Sequence, residues 1–520
     1  MKKIKKVLAL TMALGLIATS TACGGSKNAD TLIIEAFDGG YGVQWLYDIV
    51  DAYKAANPDK KVEIKNTTPY DEGFETALSS GATTTDLYFG RESMRKYMMS
   101  NTVINGQTYD SLLANLTDVY TGNVPGEDIK VEDKFIAESL QNAYVEDDEG
   151  NKSYFTMPWI GGAGGIIYNK KVWKDTWEVP NTTDELLEIC QTIKTDGYTP
   201  MIYCLQDSYW YFPCEIWFAQ YEGKTSVDAF WNGYDENGER YTPEILLTKG
   251  LLKSYEVVES LLQDSKGFMD ARSKTDDFTT VQTHFLATDS KIAMIPNGDW
   301  IQREMSANYS EDEVDIGFLK TPVISSIVET LEYRNGTEYM SDETLSAVIA
   351  AIDSGATSYD GVSAADFARL QEARSIYTGF CGHVAWVPAY SSKVDLAKDF
   401  LRYMTTDESI RIFTKATNGY TQPFHFDYTT DAETSPYMKN FMLNSYELQR
   451  TGTFVARNAA TDRLFCVGGV KMYGNSGNFE TYFSASNSAD YLSAYDYYEA
   501  EYNFVKSRWS NYLQLAGIGV

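Results

Sequence analysis

The stretch LIIEAFDGGYGVQWLYDIVDAYKAANPDKKVEIK, residues 32–65, decides the fold class of this chain. Strand-forming residues fill Leu32–Phe37 at its start, and apolar residues alternate with charged ones in Lys61–Lys65 at its end. Between these two runs, five residues recur at helical spacing: Trp45, Leu46, Ile49, Val50 and Tyr53. A strand, a helix and a second strand in this order predict a βαβ unit, with a parallel sheet and a right-handed crossover.

The turn between the first strand and the helix is the first candidate for a ligand site. Asp38–Gly42 contains three glycines and interrupts the strand, and Asn57-Pro58 ends the helix because the residue before proline is pushed out of the helical region. Ligands of open α/β sheets bind beyond the carboxyl ends of the strands, where this turn lies. Tyr41 is therefore a candidate binding residue, and an ordinary turn residue is the alternative.

Strands and helices continue to alternate along the chain, which is typical of the α/β class. The segment Tyr144–Tyr154 has a polar turn at its centre and predicts a hairpin. Capping boxes at Thr182-x-x-Glu185 and Thr405-x-x-Glu408 predict the starts of two helices. Ile292–Pro296 is a further apolar strand, so the whole chain is predicted to be α/β.

The first thirty residues are expected to direct export rather than to fold. Lysines at positions 2, 3, 5 and 6 precede the apolar run Val7–Ala18, which is too short to span a bilayer core of about 20 apolar residues. This pattern predicts a signal peptide over residues 1–22. Small residues before Cys23 and glycines after it resemble a lipobox, which predicts lipidation of Cys23 and a lipidated tether over residues 23–30. Ordinary cleavage and free secretion are the alternative.

The charge and composition of the chain exclude some partners and favour others. The 44 Lys and Arg against 73 Asp and Glu give a formal net charge of −29, whereas nucleic-acid binding requires a basic surface. The same charge disfavours docking on anionic membranes or acidic polymers. The 38 Tyr and 10 Trp favour carbohydrate, because flat amphipathic rings suit the C–H faces of sugars and still hydrogen-bond at their edges.

Cysteine and histidine give little sign of a disulfide framework or a metal site. Besides Cys23, an odd number of cysteines without CxxC spacing remains, at positions 190, 204, 214, 381 and 466. Buried free thiols are the first interpretation, and one bridge, between Cys204 and Cys214, is the alternative. The three histidines lack the spacing of zinc ligands, so we expect neither a metal nor a cofactor.

Four patches of the sequence, in their order along the chain, resemble one known family. They are Asp38–Gly42 with the helix after it, Pro158–Lys170, Ala293–Trp300 and Val387–Phe400. Together they resemble the bacterial extracellular solute-binding family of sugar importers, which contains the maltose-binding proteins. The main departure is Ile324–Phe380, a stretch longer than in compact members and with a helical pattern of its own.

The resemblance implies a two-lobed periplasmic-binding-protein-like α/β fold. Two parallel-type sheets would be joined by crossing segments, with a ligand cleft between the lobes. The implied layout has crossings near Met157–Gly162, Phe318–Ser325 and Gly419–Pro423, lobe 1 over residues 31–157 and 320–420, and lobe 2 over residues 158–319 and 421–520. Closure of the lobes would be a hinge motion, which a ligand drives only by binding the closed form better than the open one.

The resemblance also implies a set of ligand-binding residues at the strand ends. It places Trp300 against a sugar face, with a core tryptophan as the alternative, and Asp299 beside it would accept sugar hydroxyls or cap the next helix. The other candidates are Tyr41, Trp159 in the first crossing, Trp210 in the aromatic run Tyr209–Phe212, Trp386, Asp86 and Arg91. Each has a structural alternative: packing for the tryptophans, and a mutual ion pair for Asp86 and Arg91. Because neighbouring side chains point in different directions, at most alternate members of the aromatic run can reach a ligand.

These features predict a binding protein that captures an oligosaccharide outside the cell without turning it over. The expected partners are the membrane permease subunits of an ABC importer with a separate ATPase chain, and the membrane itself through lipid on Cys23. We expect a monomer on the extracellular face of the cell membrane. The alternatives are a secreted glycoside hydrolase, whose two carboxylates no local motif nominates, and a binding protein for a peptide or polyamine.

Overall fold

A computed structural model of the chain describes residues 31–65, 73–90, 94–147, 149–310, 313–379, 383–455 and 462–519. The predicted signal peptide, the tether with Cys23 and the candidate residue Arg91 lie outside these ranges. Among the described residues, no helix combines the length and the apolar character needed to cross a membrane.

The strands form two principal sheets. In chain order they are β1 (Thr31–Ala36), β2 (Lys61–Lys65), β3 (Leu87–Phe89), β4 (Thr102–Ile104), β5 (Gln107–Tyr109), β6 (Tyr144–Glu146), β7 (Lys152–Tyr154), β8 (Thr156–Pro158), β9 (Gly164–Asn169), β10 (Thr199–Met201), β11 (Ile292–Gly298), β12 (Ile316–Phe318), β13 (Ile376–Tyr377), β14 (Val384–Trp386) and β15 (Thr453–Phe454). The first sheet has the order β2-β1-β3-β14-β8, and the second has the order β10-β11-β9-β12. Each sheet is the centre of one lobe.

Both sheets are mixed, although most of their strands are parallel. The predicted βαβ unit is confirmed, since β1 pairs in parallel with β2 and Ile34 lies opposite Ile64. The strand β14 runs antiparallel to β3 in the first sheet, and β9 runs antiparallel to β11 in the second. In each lobe the chain thus inserts one reversed strand into an otherwise parallel sheet.

Helices cover the sheets and extend the second lobe. In chain order they are α1 (Gln44–Ala56), α2 (Phe74–Ser80), α3 (Arg95–Met98), α4 (Thr117–Tyr120), α5 (Val131–Lys134), α6 (Thr183–Thr195), α7 (Tyr211–Glu222), α8 (Lys224–Trp231), α9 (Lys249–Leu262), α10 (Phe278–Leu286), α11 (Ile301–Glu304), α12 (Asp342–Asp353), α13 (Ala364–Ser375), α14 (Val394–Tyr403), α15 (Asp407–Thr417), α16 (Asn440–Thr451), α17 (Arg463–Cys466), α18 (Phe479–Phe483), α19 (Ala494–Lys506) and α20 (Trp509–Ala516). Short 3₁₀ helices occupy Ala137–Asn142, Pro243–Leu247, Asp264–Lys266, Ala271–Lys274, Met305–Ala307, Ser325–Thr330 and Ser435–Tyr437.

The chain passes between the two lobes three times. It first crosses from β8 to β9, and it crosses again between β13 and β14. The third crossing lies between α15, which packs on α1, and α16, which packs on β12. The first and third crossings contain the predicted segments, but the second lies well after the predicted Phe318–Ser325.

The segment between β12 and the second crossing packs with the second lobe, whereas the prediction placed all of residues 320–420 in lobe 1; the part of that range from β14 to α15 packs with the first lobe. Its helices α12 and α13 bury apolar residues in the same cluster as Ile166 and Met294 of the second sheet. The reason is α7, whose residues from Tyr211 to Tyr221 are all buried. A helix that is apolar on every side needs partners on every side. The helix α9 packs on it from one direction and α13 from another, so the insertion completes the core of this lobe.

The local sequence predictions agree with the structure to different degrees. The hairpin is confirmed, with Tyr144 opposite Tyr154 across β6 and β7. The first capping box is also correct, since Thr182 accepts a hydrogen bond from the backbone of Glu185. The second is displaced by one residue, because Thr406 rather than Thr405 caps α15 through the backbone of Ser409.

The alternative of a bridge between Cys204 and Cys214 is contradicted, because both are free thiols. The Sγ of Cys204 donates to the carbonyl of Asp276 at 3.4 Å, and that of Cys214 to the hydroxyl of Ser254 at 3.4 Å. Among the described cysteines, Cys190, Cys204 and Cys214 are buried, as the first interpretation expected, and Cys466 is partly exposed.

The C-terminal helix α19 offers a test of local stability. Its N-cap Ser493 accepts a hydrogen bond from the backbone of Asp496, and the Asp496 carboxylate accepts one in return from the backbone of Ser493. We expect Ser493→Ala to lower the free energy of unfolding by about 1 kcal/mol, measured by urea denaturation. The matched control is Ser260→Ala inside α9, where the hydroxyl only bonds back to the carbonyl of Glu256. That change should be neutral or slightly stabilising, and equal losses in both variants would contradict the capping role.

Candidate functional site

The two lobes touch each other at the carboxyl ends of β1 and β11. The loop after β1 contains Gly40 and Tyr41, and β11 runs directly into Asp299 and Trp300. A Cβ built on Gly40 would lie 3.0 Å from the Cβ of Trp300 and 3.3 Å from Oε1 of Glu304. The glycine therefore lets the backbone of the first lobe lie directly against side chains of the second, at the strand ends where α/β proteins bind ligands.

Asp299 is the polar centre of this contact. Its Oδ2 accepts hydrogen bonds from the backbone N–H of Ala163 at 3.1 Å and from the hydroxyl of Ser445 at 2.7 Å. Its Oδ1 lies 3.5 Å from the hydroxyl of Tyr41, and its backbone carbonyl accepts from the hydroxyl of Tyr420 at 2.8 Å. The residue thus connects β11 to the first-lobe loop, to α16 and to two crossings. The alternative for Asp299 was that its carboxylate caps the following helix. In the structure, no side chain of the described residues caps that helix.

Burial governs the ionisation of this cluster. Asp299 is 2% exposed, and loss of hydration raises the pKa of its carboxyl to about 6, while hydrogen bonds from Ser445 and Ala163 partly oppose the rise. Burial, with the charge of Asp299 as the next cause, raises the pKa of Tyr41 well above its ordinary value. The phenol of Tyr41 is therefore a neutral donor at physiological pH.

The raised pKa of Asp299 predicts a pH dependence of stability with a definite sign. Between about pH 4 and 6 the folded protein holds a proton that the unfolded carboxyl has released, so stability is lost as the pH rises through this window. Asp299→Asn removes the ionisable carboxyl and therefore removes this pH dependence of the free energy of unfolding. We expect the free energy of unfolding of the wild type, minus that of the variant, to fall as the pH rises from 4 to 6 and then to level off. Urea denaturation across pH 4–7 measures it.

The control for this experiment is Asp289→Asn, which changes an exposed aspartate of the same lobe. Its difference from the wild type should stay flat over the same pH range. A flat difference for Asp299→Asn as well would show that the buried carboxyl keeps an ordinary affinity for its proton in the folded state.

Trp300 is held in place by its own backbone and by neighbouring rings. A Cβ on Gly298 would lie 2.0 Å from the six-membered ring of Trp300, so only glycine lets the indole fold back over β11. Its ring centroid lies 5.5 Å from that of Tyr209 and 5.8 Å from that of Phe212. Trp300 is 5% exposed, because the loop after β1 covers it.

The aromatic run Tyr209–Phe212 contributes to the site, but through a different residue from the predicted one. Trp210 is fully buried among the residues of the second lobe, 6.2 Å between centroids from Tyr203. Tyr209 instead remains partly exposed and faces Trp300. Tyr209 and Phe212, three residues apart at the start of α7, both pack on Trp300, so the run does not follow the expected alternation.

Trp159 packs the first crossing. Its ring stacks on Trp45 with centroids 5.0 Å apart and planes 20° apart, and its Nε1 donates to the carbonyl of Gly90 at 3.0 Å. It is 2% exposed and presents its ring to the edge of Tyr41 at 6.2 Å between centroids. Trp159 therefore packs the crossing and contacts Tyr41, which agrees with the hinge-packing alternative. Trp45, its stacking partner, is a core residue, as its helical spacing predicted.

Two candidates lie in other surroundings. Trp386 stacks on Tyr88 with centroids 4.1 Å apart and belongs to a separate buried cluster of the first lobe. The carboxylate of Asp86 accepts from the backbone of Ile33 at 3.0 Å and from the hydroxyl of Ser391 at 2.7 Å. Asp86 precedes β3, at the end of the strand opposite to the ligand end. Neither residue contacts the cluster of Tyr41, Asp299 and Trp300 among the described contacts, and Arg91 lies outside the described residues.

Sequence reasoning did not single out several members of this cluster. Tyr420 lies in a predicted crossing, with its ring 5.0 Å from that of Tyr41. Ser445 and Gln449 stand one turn apart on α16, and the Nε2 of Gln449 donates to the hydroxyl of Ser445 at 3.1 Å. The only sequence signal for this pair is that two polar residues lie four positions apart. An exposed helix face shows the same spacing, so the signal does not identify a binding site. Glu304 is the remaining member.

A groove follows the crossings beside this cluster. It has a volume of about 490 Å³, including the part open to solvent, and both lobes line it. Glu138 and Ser139 contribute from the first lobe and Gln449 from the second, with Gly161 and His383 of the crossings between them. Within the described part of the chain, no group of three or more His, Cys, Asp or Glu side chains could hold a metal ion.

Comparisons with known proteins agree with this architecture. A family model described as "Bacterial extracellular solute-binding protein" matches residues 39–325, more than half of the chain. Similar solved structures include the apo form of RafE from Streptococcus pneumoniae, with 14% identity over 92% of this chain and 98% of that chain and a TM-score of 0.57.

Two further structures show a similar fold. The cyclic α-maltosyl-1,6-maltose binding protein from Arthrobacter globiformis has 15% identity over 92% of this chain and 99% of that chain, with a TM-score of 0.56. The GacH receptor of Streptomyces glaucescens has 13% identity, 92% and 98% coverage and a TM-score of 0.54. A search of curated proteins finds no match. At these identities the structures establish the two-lobed fold.

Proposed function

This chain belongs to the bacterial extracellular solute-binding protein family, and on that premise we propose that it binds an oligosaccharide between its lobes and delivers it to a membrane importer. The observation that carries the proposal is the aromatic lining where the lobes meet. Trp300 and Tyr209 come from the second lobe and Tyr41 from the first. Rings of this kind offer apolar faces to pyranose C–H groups and polar edges to hydroxyls.

Polar groups beside the rings fit a neutral polyhydroxylated ligand. The hydroxyls of Tyr209 and Tyr420 and the amide of Gln449 offer both donors and acceptors at the lobe boundary. A sugar needs both kinds, because each hydroxyl can donate one hydrogen bond and accept others. RafE has been solved with raffinose bound, which supports oligosaccharide as the ligand class for a chain of the same fold.

Ligand entry requires the lobes to separate. Trp300 is covered by Gly40 of the opposite lobe, so a sugar reaches the indole only when the contact opens. The three crossings are the segments about which such a hinge motion occurs. The ligand then stabilises the closed form by the difference between its affinities for the two forms, and the closed form is what a permease would recognise.

A thermal-shift screen of the chain from Gly24 onward tests the proposal. The panel contains raffinose, maltotetraose and xylotetraose, with a tripeptide and spermidine as non-sugar ligands. A ligand present at 100 times its dissociation constant stabilises the native state by about 2.7 kcal/mol, which raises the melting temperature measurably. A rise with a sugar supports the proposal, whereas rises only with the tripeptide or spermidine would reject the sugar.

Binding without turnover is part of the proposal. Asp299, the most buried carboxylate of the cluster, already accepts hydrogen bonds from Ala163 and Ser445 and is 2% exposed, which leaves it unsuited to attack or protonate a glycosidic bond. Each sugar that binds should therefore be recovered intact after prolonged incubation. Release of new reducing ends would favour a glycoside hydrolase instead.

The remaining step of the proposal is anchoring outside the cell. Lipid on Cys23 would hold the binding protein beside its permease, provided that more than one acyl chain is attached. Mass spectrometry of the protein from a bacterial membrane should find a diacyl or triacyl group on Cys23. An unmodified N-terminus in the culture medium would replace anchoring by free secretion.

A further inference from the structure

Glu304 lies at the contact of the two lobes and has no part in the family resemblance. It ends α11, four residues after Trp300, and its backbone N–H donates to the carbonyl of Trp300 at 2.9 Å. Its Oε1 faces the first lobe, 3.3 Å from the position that a Cβ on Gly40 would take. The side chain is partly buried, so it stands between the aromatic residues and the opposite lobe.

One oxygen of this carboxylate lacks a hydrogen-bond donor. The Nε2 of Gln282 donates to Oε2 at 2.9 Å, whereas Oε1 has no donor among the described residues. Burial, opposed only by the bond from Gln282, raises the pKa of Glu304 to about 7. A ligand that displaces water from Oε1 when the lobes close must supply a donor in its place, because a buried carboxylate oxygen without a donor is destabilised.

Three phenols and one cation lie around Glu304. The charge of Glu304 contributes to raising the pKa values of Tyr41, Tyr209 and Tyr420, which come from the first-lobe loop, the aromatic run and the third crossing. The neighbouring Arg303 is exposed and donates to the hydroxyl of Ser306 at 3.1 Å. Among the described residues, Glu304 forms no ion pair, so its charge remains available to a ligand.

We propose that Glu304 is a ligand-binding residue, whose Oε1 accepts a hydrogen bond from a sugar hydroxyl when the lobes close, and that Gln282 positions it. This proposal rests on the proposed function, because it assigns a role in the same cleft. Gln282 is fully buried on α10 and fixes Oε2, which leaves only Oε1 to face the ligand. The selected ligand therefore presents a hydroxyl to the carboxylate while a ring face contacts Trp300.

The proposal predicts that sugar affinity depends on the ionisation of one residue. A hydrogen bond to a charged acceptor is stronger than one to a neutral acceptor, so the ligand binds better when Glu304 is ionised. Affinity should rise with pH through the region near 7 in the wild type. In Glu304→Gln, an amide oxygen of the same shape replaces the carboxylate and this rise should disappear.

The experiment is calorimetric titration of the wild type and Glu304→Gln with raffinose, maltotetraose and xylotetraose at pH 5.5, 7.0 and 8.5. The dissociation constant of the variant should exceed that of the wild type by about 10-fold at pH 8.5, and the two should converge at pH 5.5. The control is Glu343→Gln, which removes one charge from an exposed position on α12 and should leave the constants unchanged at every pH. Circular dichroism establishes that both variants are folded.

The outcomes separate this proposal from the one on which it rests. If the wild type binds a sugar and Glu304→Gln binds it equally well at all three pH values, Glu304 is not a ligand residue, although sugar binding stands. An equal loss at every pH would assign Glu304 a structural role and also overturn the proposal. If the wild type binds none of the three sugars, the proposed function is wrong. The proposed role of Glu304 is then also wrong, because it depends on that function.

Discussion

Trp300→Ala is expected to weaken sugar binding by about 100-fold, close to 2.7 kcal/mol of binding free energy. The indole presents a large ring at the lobe contact, and Tyr209 and Phe212 fix its orientation before a ligand arrives. Alanine removes the ring face and the contact of the indole with Tyr209. Calorimetric titration with the sugar found by the thermal-shift screen measures the loss, and Trp300→Phe should recover part of it.

The control for this prediction is Trp173→Ala. Trp173 is another tryptophan of the second lobe, partly exposed where Trp300 is buried, and its ring packs on Trp177 and Tyr168. Its loss should lower the melting temperature and leave the dissociation constant unchanged. An affinity for Trp300→Ala within threefold of the wild type would remove Trp300 from the binding site, whatever its effect on stability.

Local patterns were sufficient to predict the first βαβ unit and the hairpin. Both depend on contacts between residues that are close in sequence, such as the alternation in Lys61–Lys65 and the turn inside Tyr144–Tyr154. The periodicity of α1 likewise identified Trp45 and Tyr53 as core residues. In these elements, local propensity and tertiary packing favour the same structure.

The second crossing could not be located in the same way. The helices α12 and α13 have apolar faces that would suit a core in either lobe, and nothing in their own sequence states which one they cover. The determining feature is α7, which is buried on every side and lies far earlier in the chain. The prediction counted the segment after Phe318 with the first lobe because this requirement of α7 is not visible in the segment itself.

The cluster at the lobe contact was predicted in part for a similar reason. Tyr41 and Asp299 could be identified because each follows a strand and lies beside glycine, and Trp300 because the family resemblance places a tryptophan there. The donors to Asp299 could not, since Ala163 and Ser445 are 136 and 146 residues away from it in the chain. The direction of a side chain within the aromatic run is also a tertiary property, which explains why Trp210 was named and Tyr209 was not.

Arg374→Met is expected to lower the free energy of unfolding by about 3 kcal/mol, the largest stability effect among these variants. Arg374 is 4% exposed at the end of α13. Its Nη2 pairs with Asp353 of α12 at 2.6 Å, and its Nη1 donates to the carbonyl of Thr321 at 3.1 Å. Breaking a buried pair usually costs 3–5 kcal/mol. The lower end applies because Asp353 is partly exposed and keeps its contact with Lys320 at 2.6 Å.

The matched control is Lys415→Met, which breaks an ion pair with Glu433 in which both side chains are largely exposed. It should cost less than 1 kcal/mol in the same urea denaturation experiment. Similar losses for the two variants would mean that the contribution of Arg374 to the free energy of unfolding does not depend on its burial. The comparison therefore separates burial from charge, since each variant removes one cation and one ion pair.

The location of the loss tests the assignment of the insertion to the second lobe. Arg374 joins α12 and α13 to the chain that follows β12, and α13 in turn covers α7. Hydrogen exchange in Arg374→Met should therefore accelerate in α7, α12 and α13, while β1 and β2 of the first lobe keep their wild-type rates, because a local opening exposes only the elements that it detaches. Faster exchange in β1 and β2 instead would indicate that α12 and α13 belong to the first lobe, as the sequence alone had predicted.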